Sequence, residues 1–148
     1  MKRKKKNAAK NSSSKQLIER AGLAMKHGFY FEASLILSSV FERKLKKLMG
    51  KVENQAPRQG FTLEQSIKRV KYLHLSQKYP GLTANFSLGL IDNIRTWKNQ
   101  RNEILKDIPD VHVSPARIER LANDAVKLSG ELSKAVKTFK SARLKNEK

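Results

Sequence analysis

An arginine interrupts an apolar stripe in the segment 90–108, and an asparagine follows it at once. The stripe repeats at three- and four-residue steps or their sums, which is the period of one helix face, through Leu90, Ile94, Trp97, Ile104 and Ile108. Arg101 lies four residues after Trp97 and three before Ile104. Because an isolated charge is costly to bury, we expect Arg101 to have a compensating partner or access to water.

Two interpretations of Arg101 follow from its position. In the first, its aliphatic stem packs on the bundle while the guanidinium reaches water. In the second, the guanidinium is oriented in a groove, where its planar N–H groups match the oxygens of a phosphate. Glu42 lies at the margin of another helix's apolar stripe and is the predicted orienting partner, since a buried carboxylate needs a cation.

The charge of the chain favours a polyanionic partner. The 148 residues contain 32 Lys and Arg against 13 Asp and Glu, which gives a formal net charge of +19. Nucleic acid is the predicted partner, ahead of an anionic membrane or an acidic protein, and plain solubility is the simpler alternative. The predicted phosphate contacts, besides Arg101 and Asn102, are Lys2, Arg3, Lys4, Lys5, Lys6, Arg43, Lys44, Lys46 and Lys47.

Several other chemistries lack the residues they need. The chain has no cysteine, so disulfides and thiolate sites are excluded and a reducing cytoplasm is the expected setting. It contains no phosphate loop, dinucleotide glycine motif, HExxH motif or calcium loop, and we predict no cofactor and no metal. No apolar run approaches the roughly 20 residues of a membrane helix and no signal-peptide pattern is present, so we expect no membrane association.

One helical domain is expected to position Arg101. Residues 1–14 have nothing to bury and are predicted to be a disordered basic arm, and residues 15–148 form a single bundle domain with frayed last residues. No segment alternates as a strand does. The predicted fold is therefore all-α, an antiparallel bundle of four to five helices.

Caps and breakers predict the ends of these helices. Ser14 is the expected N-cap of the first helix, and Gly50 is the expected end of a second helix that starts near Phe29. Thr62 and Gln65 form a capping box for the third. The remaining signals are a break at Tyr79-Pro80-Gly81, a fourth helix over about 83–106, and a last helix of about 28 residues opened by Ser114-Pro115.

Three segments, in this order, resemble the HEPN superfamily of helical domains. The segment FEASLILSSVFERKLKKLMG is similar to the family's long helix, with acidic Glu42 four residues before Lys46. GFTLEQSIKRVKYL is similar to the short helix after a glycine-bearing loop, and IDNIRTWKNQRNEILKD to the helix that carries an Arg-Asn motif. The resemblance spans residue 15 to the last helix and implies a HEPN-like bundle.

In active members, the resemblance implies metal-independent RNA cleavage at a dimer interface. Their motif is an arginine, a polar residue, three to five further residues and a histidine; the arginine steadies the scissile phosphate and the histidine moves protons for attack by the 2′-hydroxyl. Arg101 and Asn102 match the first two positions, but Lys106, Asp107 and Ile108 occupy the places admissible for the histidine. A neutral imidazole shuttles protons near working pH, whereas an ammonium ion or a carboxylate beside phosphate is poorly suited to that task.

The sequence therefore favours a non-catalytic, HEPN-like homodimer. We expect it to bind RNA, or another nucleic acid or nucleotide, through a basic groove around Arg101, in a setting such as a toxin–antitoxin or anti-phage system. One alternative is a metal-independent ribonuclease with a degenerate motif, in which Lys106 or Asp107 replaces the histidine. The other is a regulator that acts by binding an acidic protein.

Overall fold

The chain is almost entirely helical in the computed structural model, which describes residues 13–55, 60–108 and 113–146. Six helices follow one another in this part of the chain: α1 (Ser14–Lys26), α2 (Tyr30–Glu53), α3 (Leu63–Leu75), α4 (Pro80–Asn85), α5 (Leu88–Asp107) and α6 (Pro115–Asn146). The described ranges contain no strand, which confirms the all-α prediction. The predicted arm, with Lys2 to Lys6, lies outside the described residues except for positions 13 and 14.

The first helix is capped one residue earlier than the sequence predicts. Ser13 Oγ accepts a hydrogen bond from the Gln16 backbone N–H at 3.2 Å, and Gln16 Oε1 accepts one from the Ser13 N–H at 3.0 Å. This reciprocal box needs a glutamine three residues after the cap, and Ser14 has Leu17 in that position. The box predicted for Thr62 and Gln65 is confirmed, with distances of 3.2 and 2.9 Å.

Helix α2 continues beyond its predicted end at Gly50. A glycine inside a helix costs only about 1 kcal/mol relative to alanine. The additional turn brings Val52 against the core, which offsets that cost. The helix instead ends at Asn54, which adopts the left-handed conformation (φ 54°) and donates its N–H to the Gly50 carbonyl.

A short additional helix precedes the arginine-bearing helix. Helix α3 ends at Leu75, before the predicted break at Tyr79-Pro80-Gly81, and a new helix that the sequence did not predict starts there. Pro80 occupies the first turn of α4, where its missing N–H leaves no helical hydrogen bond unmade. Phe86 is extended and buried, and it separates α4 from α5. Ser87 Oγ then accepts from the Gly89 N–H at 3.0 Å, so α5 begins at Leu88 rather than near Thr83.

Helix α2 is the centre of the bundle and packs against α1, α3 and α6, while α5 packs on α3 and α6. Trp97 fixes α5 in place, because its Nε1–H donates to the Leu121 carbonyl at 2.9 Å and its ring meets Phe41 edge-on at 5.1 Å. The last buried residue of α5 is Ile104. Ile108, predicted to lie on the buried stripe, is 47% exposed because it lies beyond that last core contact.

None of the helices in the described ranges has both the length and the apolar character required to span a lipid bilayer.

Candidate functional site

The Arg101 guanidinium is half-buried between α2 and α5, and both of its terminal nitrogens donate hydrogen bonds. Nη1 donates a hydrogen bond to the Ser38 hydroxyl on α2. Nη2 donates to Asn102 Oδ1 at 3.2 Å. The Arg101 Cζ lies 5.7 Å from the centroid of the Trp97 ring, one turn earlier on α5, within the range of a cation–π interaction. These contacts therefore fix the orientation of the Arg101 side chain.

The charge of Arg101 is only partly compensated. Among the described residues no carboxylate lies within ion-pair distance of it, and its buried Nε has no hydrogen-bond partner. Burial lowers the pKa of Arg101, and the negative charge of Glu42 acts in the opposite direction. An anion that approached this guanidinium would meet an oriented donor with little competition from acidic side chains.

Glu42, the predicted orienting residue, influences Arg101 through space rather than by direct contact. Its Oε1 accepts from Lys46 Nζ at 3.0 Å, one turn further along α2. The hydroxyl that contacts the guanidinium belongs to Ser38, one turn before Glu42. Sequence reasoning overlooked Ser38, although a serine within the apolar side of a long helix is a detectable signal for a buried polar partner.

The predicted basic residues of α2 do not share one surface. Lys46 lies on the Glu42 side of the helix and pairs with that carboxylate. Lys44 is half-buried, Lys47 is exposed, and the charges that act on Lys44 are those of Lys47 and of Lys140 on α6. Arg43 is half-buried and interacts with other residues of the protein. With 3.6 residues per turn, Lys44 and Lys47 lie roughly 120–180° around α2 from Ser38, the residue that contacts Arg101.

The histidine of the motif would occupy position 106, 107 or 108, and each of these positions holds a different residue in this chain. Lys106 is exposed, and Ile108 caps the end of α5. Asp107 Oδ2 accepts a hydrogen bond from Arg117 Nη1 at 2.9 Å, which ties the end of α5 to the start of α6. No hydrogen bond or ion pair joins Arg101 to Lys106 or Asp107 in the part of the chain that is described.

An ion pair between a buried lysine and a half-buried glutamate, which the sequence did not reveal, supports the arginine-bearing helix. Lys98, on α5, is buried and donates a hydrogen bond to Glu64 in the first turn of α3. Arg95 and Lys68 approach the same carboxylate at 3.6 and 4.0 Å. The hydrogen bond from Lys98 lowers the pKa of Glu64. This network fixes α5 against α3 one turn before Arg101.

Comparison with known protein families, curated protein sequences and solved structures found no match for this chain. In the described ranges, no three histidine, aspartate or glutamate side chains converge as a metal site would require.

Proposed function

We propose that this chain is a non-catalytic, HEPN-like protein that binds RNA through a backbone phosphate at Arg101. One observation carries the proposal: Ser38, Asn102 and Trp97 hold the guanidinium, and no carboxylate pairs with it among the described residues. A guanidinium that only stabilised the fold would normally meet an acid when it is desolvated. The toxin–antitoxin or anti-phage setting follows from the resemblance and is part of the same proposal.

The chemistry of Arg101 suits a phosphodiester. A phosphate oxygen accepts charge-assisted hydrogen bonds from a guanidinium, and such bonds are roughly twice as strong as neutral ones. The net charge of +19 would draw a polyanion to the protein and release counterions when it binds.

Binding without cleavage is favoured over the degenerate ribonuclease. Acid–base catalysis needs a group near Arg101 that both accepts and donates a proton at working pH. Asp107 is instead bonded to Arg117, and a carboxylate is repelled by the phosphate it would have to approach. The exposed ammonium of Lys106 supplies positive charge but is a poor proton acceptor.

A second copy of the chain is proposed to complete the groove. Arg101, Leu105 and Ile108 follow one another at four- and three-residue steps, so they share one side of α5. Leu105 and Ile108 are 43% and 47% exposed, although both are large apolar side chains. Contact between two such surfaces would bury this apolar edge and bring the two Arg101 side chains to one interface.

Direct binding to a labelled single-stranded RNA tests the proposal. Replacing Arg101 by alanine should weaken binding about tenfold or more, because a hydrogen-bonded charge is removed. R101K should restore part of the affinity, since lysine binds phosphate as a point charge. The matched control is R20A, which removes an exposed arginine from α1 and should leave affinity nearly unchanged.

The proposal is wrong if R101A and R20A bind RNA equally well. The same RNA, incubated with the wild-type protein, should remain intact. Cleavage that disappears in R101A would establish the ribonuclease alternative instead. Cleavage that R101A retains would indicate a contaminating nuclease.

A further inference from the structure

One carboxylate between α3 and α5 is approached by three cations. Glu64, in the first turn of α3, accepts a hydrogen bond from the buried Lys98 through Oε2. Its other oxygen, Oε1, lies 3.6 Å from Arg95 Nη2 and 4.0 Å from Lys68 Nζ, which is too far for a hydrogen bond. In the described ranges no other carboxylate lies within ion-pair distance of Arg95 or Lys68. The single acid therefore leaves positive charge on these two side chains unbalanced.

An exposed tyrosine lies one turn further along the same side of α3. Tyr72 follows Lys68 by four residues, and side chains at that spacing are neighbours about 5–6 Å apart on a helix surface. Tyr72 is 58% exposed, and Arg69 Cζ lies over its ring at 5.2 Å from the centroid. Arg69 is in turn held by Glu53, whose Oε1 accepts from Arg69 Nε at 2.8 Å and whose side chain is 8% exposed. The tyrosine ring is therefore backed by an anchored guanidinium and remains open to solvent.

The cations and the ring suit the two halves of a nucleotide. A phosphate binds a cation whose charge is not already balanced, and the Lys68 side chain, 69% exposed, is accessible for this contact beside Arg95. An unpaired base stacks on an exposed aromatic side chain, and a guanidinium behind that side chain adds a cation–π interaction. Lys68 and Tyr72 are neighbours on α3, so one short stretch of a single strand can reach both.

We propose that Lys68, Arg95 and Tyr72 form a binding site for single-stranded RNA, with a phosphate at the two cations and an unpaired base on the tyrosine ring. Every base has a π-face, so the site should accept any sequence whose bases are unstacked. The inference takes its ligand class from the proposed function but concerns other residues. Arg95 precedes Arg101 by six positions, which places it roughly 120° around α5 from Arg101.

Binding of a labelled, unstructured single-stranded RNA to variants of the full chain tests the stacking contact. Y72A should bind about tenfold more weakly than the wild type, because base stacking is lost. Y72F keeps the ring and should bind like the wild type. The matched control is F29A, which removes a ring of nearly equal exposure, 59%, from the N-cap of α2. With an abasic strand of the same length, Y72A and the wild type should bind equally, because no base is present to stack.

The phosphate contact has a separate test with its own control. K68Q/R95Q should bind the RNA about tenfold more weakly, and the slope of log affinity against log salt should decrease by about 0.7, the value for one phosphate of a single strand. The control K71Q/R117Q removes the same formal charge from a lysine and an arginine that each pair with a carboxylate of their own, at 3.1 and 2.9 Å. The control should keep nearly the wild-type affinity and slope.

The outcomes separate this inference from the proposed function. If Y72A binds like F29A, or K68Q/R95Q binds like its control, the inference is overturned, and weakened binding by R101A then leaves the proposed function intact. Losses in Y72A and K68Q/R95Q with none in R101A support the inference and overturn the proposed function. Circular dichroism must show that the variants are folded. Should K68Q/R95Q unfold, K68E at its exposed position decides, since unchanged binding by folded K68E contradicts the phosphate contact.

Discussion

Arg101 and Lys44 are desolvated cations that have no carboxylate within ion-pair distance among the described residues. Both side chains are half-buried, and burial is the main cause that lowers each pKa. At Arg101 the protein supplies neutral partners, the Ser38 hydroxyl and the Asn102 amide, which orient the guanidinium without neutralising it. At Lys44 the neighbouring charges are themselves positive. In both cases the missing counter-charge is what an anionic ligand would provide.

Replacing Ser38 by alanine tests whether the hydroxyl positions Arg101. The variant should bind RNA about three- to tenfold more weakly, which corresponds to one net hydrogen bond. Its unfolding temperature should change little, because the guanidinium can still reach water. Fluorescence anisotropy and thermal unfolding measure the two effects. Full affinity in S38A would mean that the Ser38 contact plays no part in binding.

The pKa of Lys44 should respond to a charge on another helix. The K140Q variant removes a like charge, so the pKa of Lys44 should rise toward the ordinary lysine range, whereas K127Q should leave it unchanged. NMR titration of the lysine side chains measures this. Because the folded-state pKa lies below the unfolded one, the unfolded chain binds more protons between them. The free energy of unfolding should therefore rise with pH through that window, and less so in K140Q. An unaltered Lys44 titration in K140Q would contradict an effect of the Lys140 charge on Lys44.

At the residue scale, the sequence predicts which side chain is unusual but not what surrounds it. Arg101 stands out because its apolar neighbours repeat with the helical period. Ser38 is 63 positions away from Arg101 in the sequence, and their contact depends on how the helices pack. Glu42 is the partner that the sequence predicts for Arg101. Its carboxylate pairs instead with Lys46, which lies on the same side of α2 at the favourable four-residue spacing.

At the element scale, local signals predicted most helix starts and fewer of the ends. The capping boxes and Ser114, whose hydroxyl accepts from the Arg117 N–H at 3.2 Å, depend on side chains within one turn and are readable from sequence. The end of α2 depends on the tertiary burial of Val52, which outweighs the weak helix penalty of Gly50. The separation of α4 from α5 depends on the burial of Phe86.

Glycines inside helices provide a test of this account of the elements. Gly22 in α1 and Gly130 in α6 are exposed, and an added Cβ would meet no atom within 4 Å. G22A and G130A should each raise the free energy of unfolding by about 0.5–1 kcal/mol. G28A should lower it, because Gly28 has φ +78°. Denaturant unfolding measures all three, and a destabilised G130A would contradict the described path of α6.

At the scale of the whole molecule, positive charge is distributed over two sides of α2. Lys46 pairs with Glu42 on α2, whereas burial and the charges of Lys140 and Lys47 lower the pKa of Lys44. The composition of the chain predicts attraction to a polyanion but cannot show this division, because charge counts contain no geometry.

The proposed dimer has its own test at this scale. Replacing Leu105 by aspartate should weaken self-association at least tenfold, because a charge would have to be buried in the proposed apolar contact. L75D is the matched control, since Leu75 is also exposed, at 58%, but lies on α3. Sedimentation equilibrium measures the association. A monomeric wild type, or equal effects of L75D and L105D, would contradict an interface beside Arg101.

The salt dependence of RNA binding, measured for the wild type and R101A, tests the central claim most directly. If Arg101 contacts a phosphate, wild-type affinity should fall steeply between about 50 and 200 mM salt. The slope of log affinity against log salt should then be smaller by about one in R101A, because one phosphate contact is lost. Parallel slopes for the two proteins, or wild-type binding that is insensitive to salt, would contradict the claim.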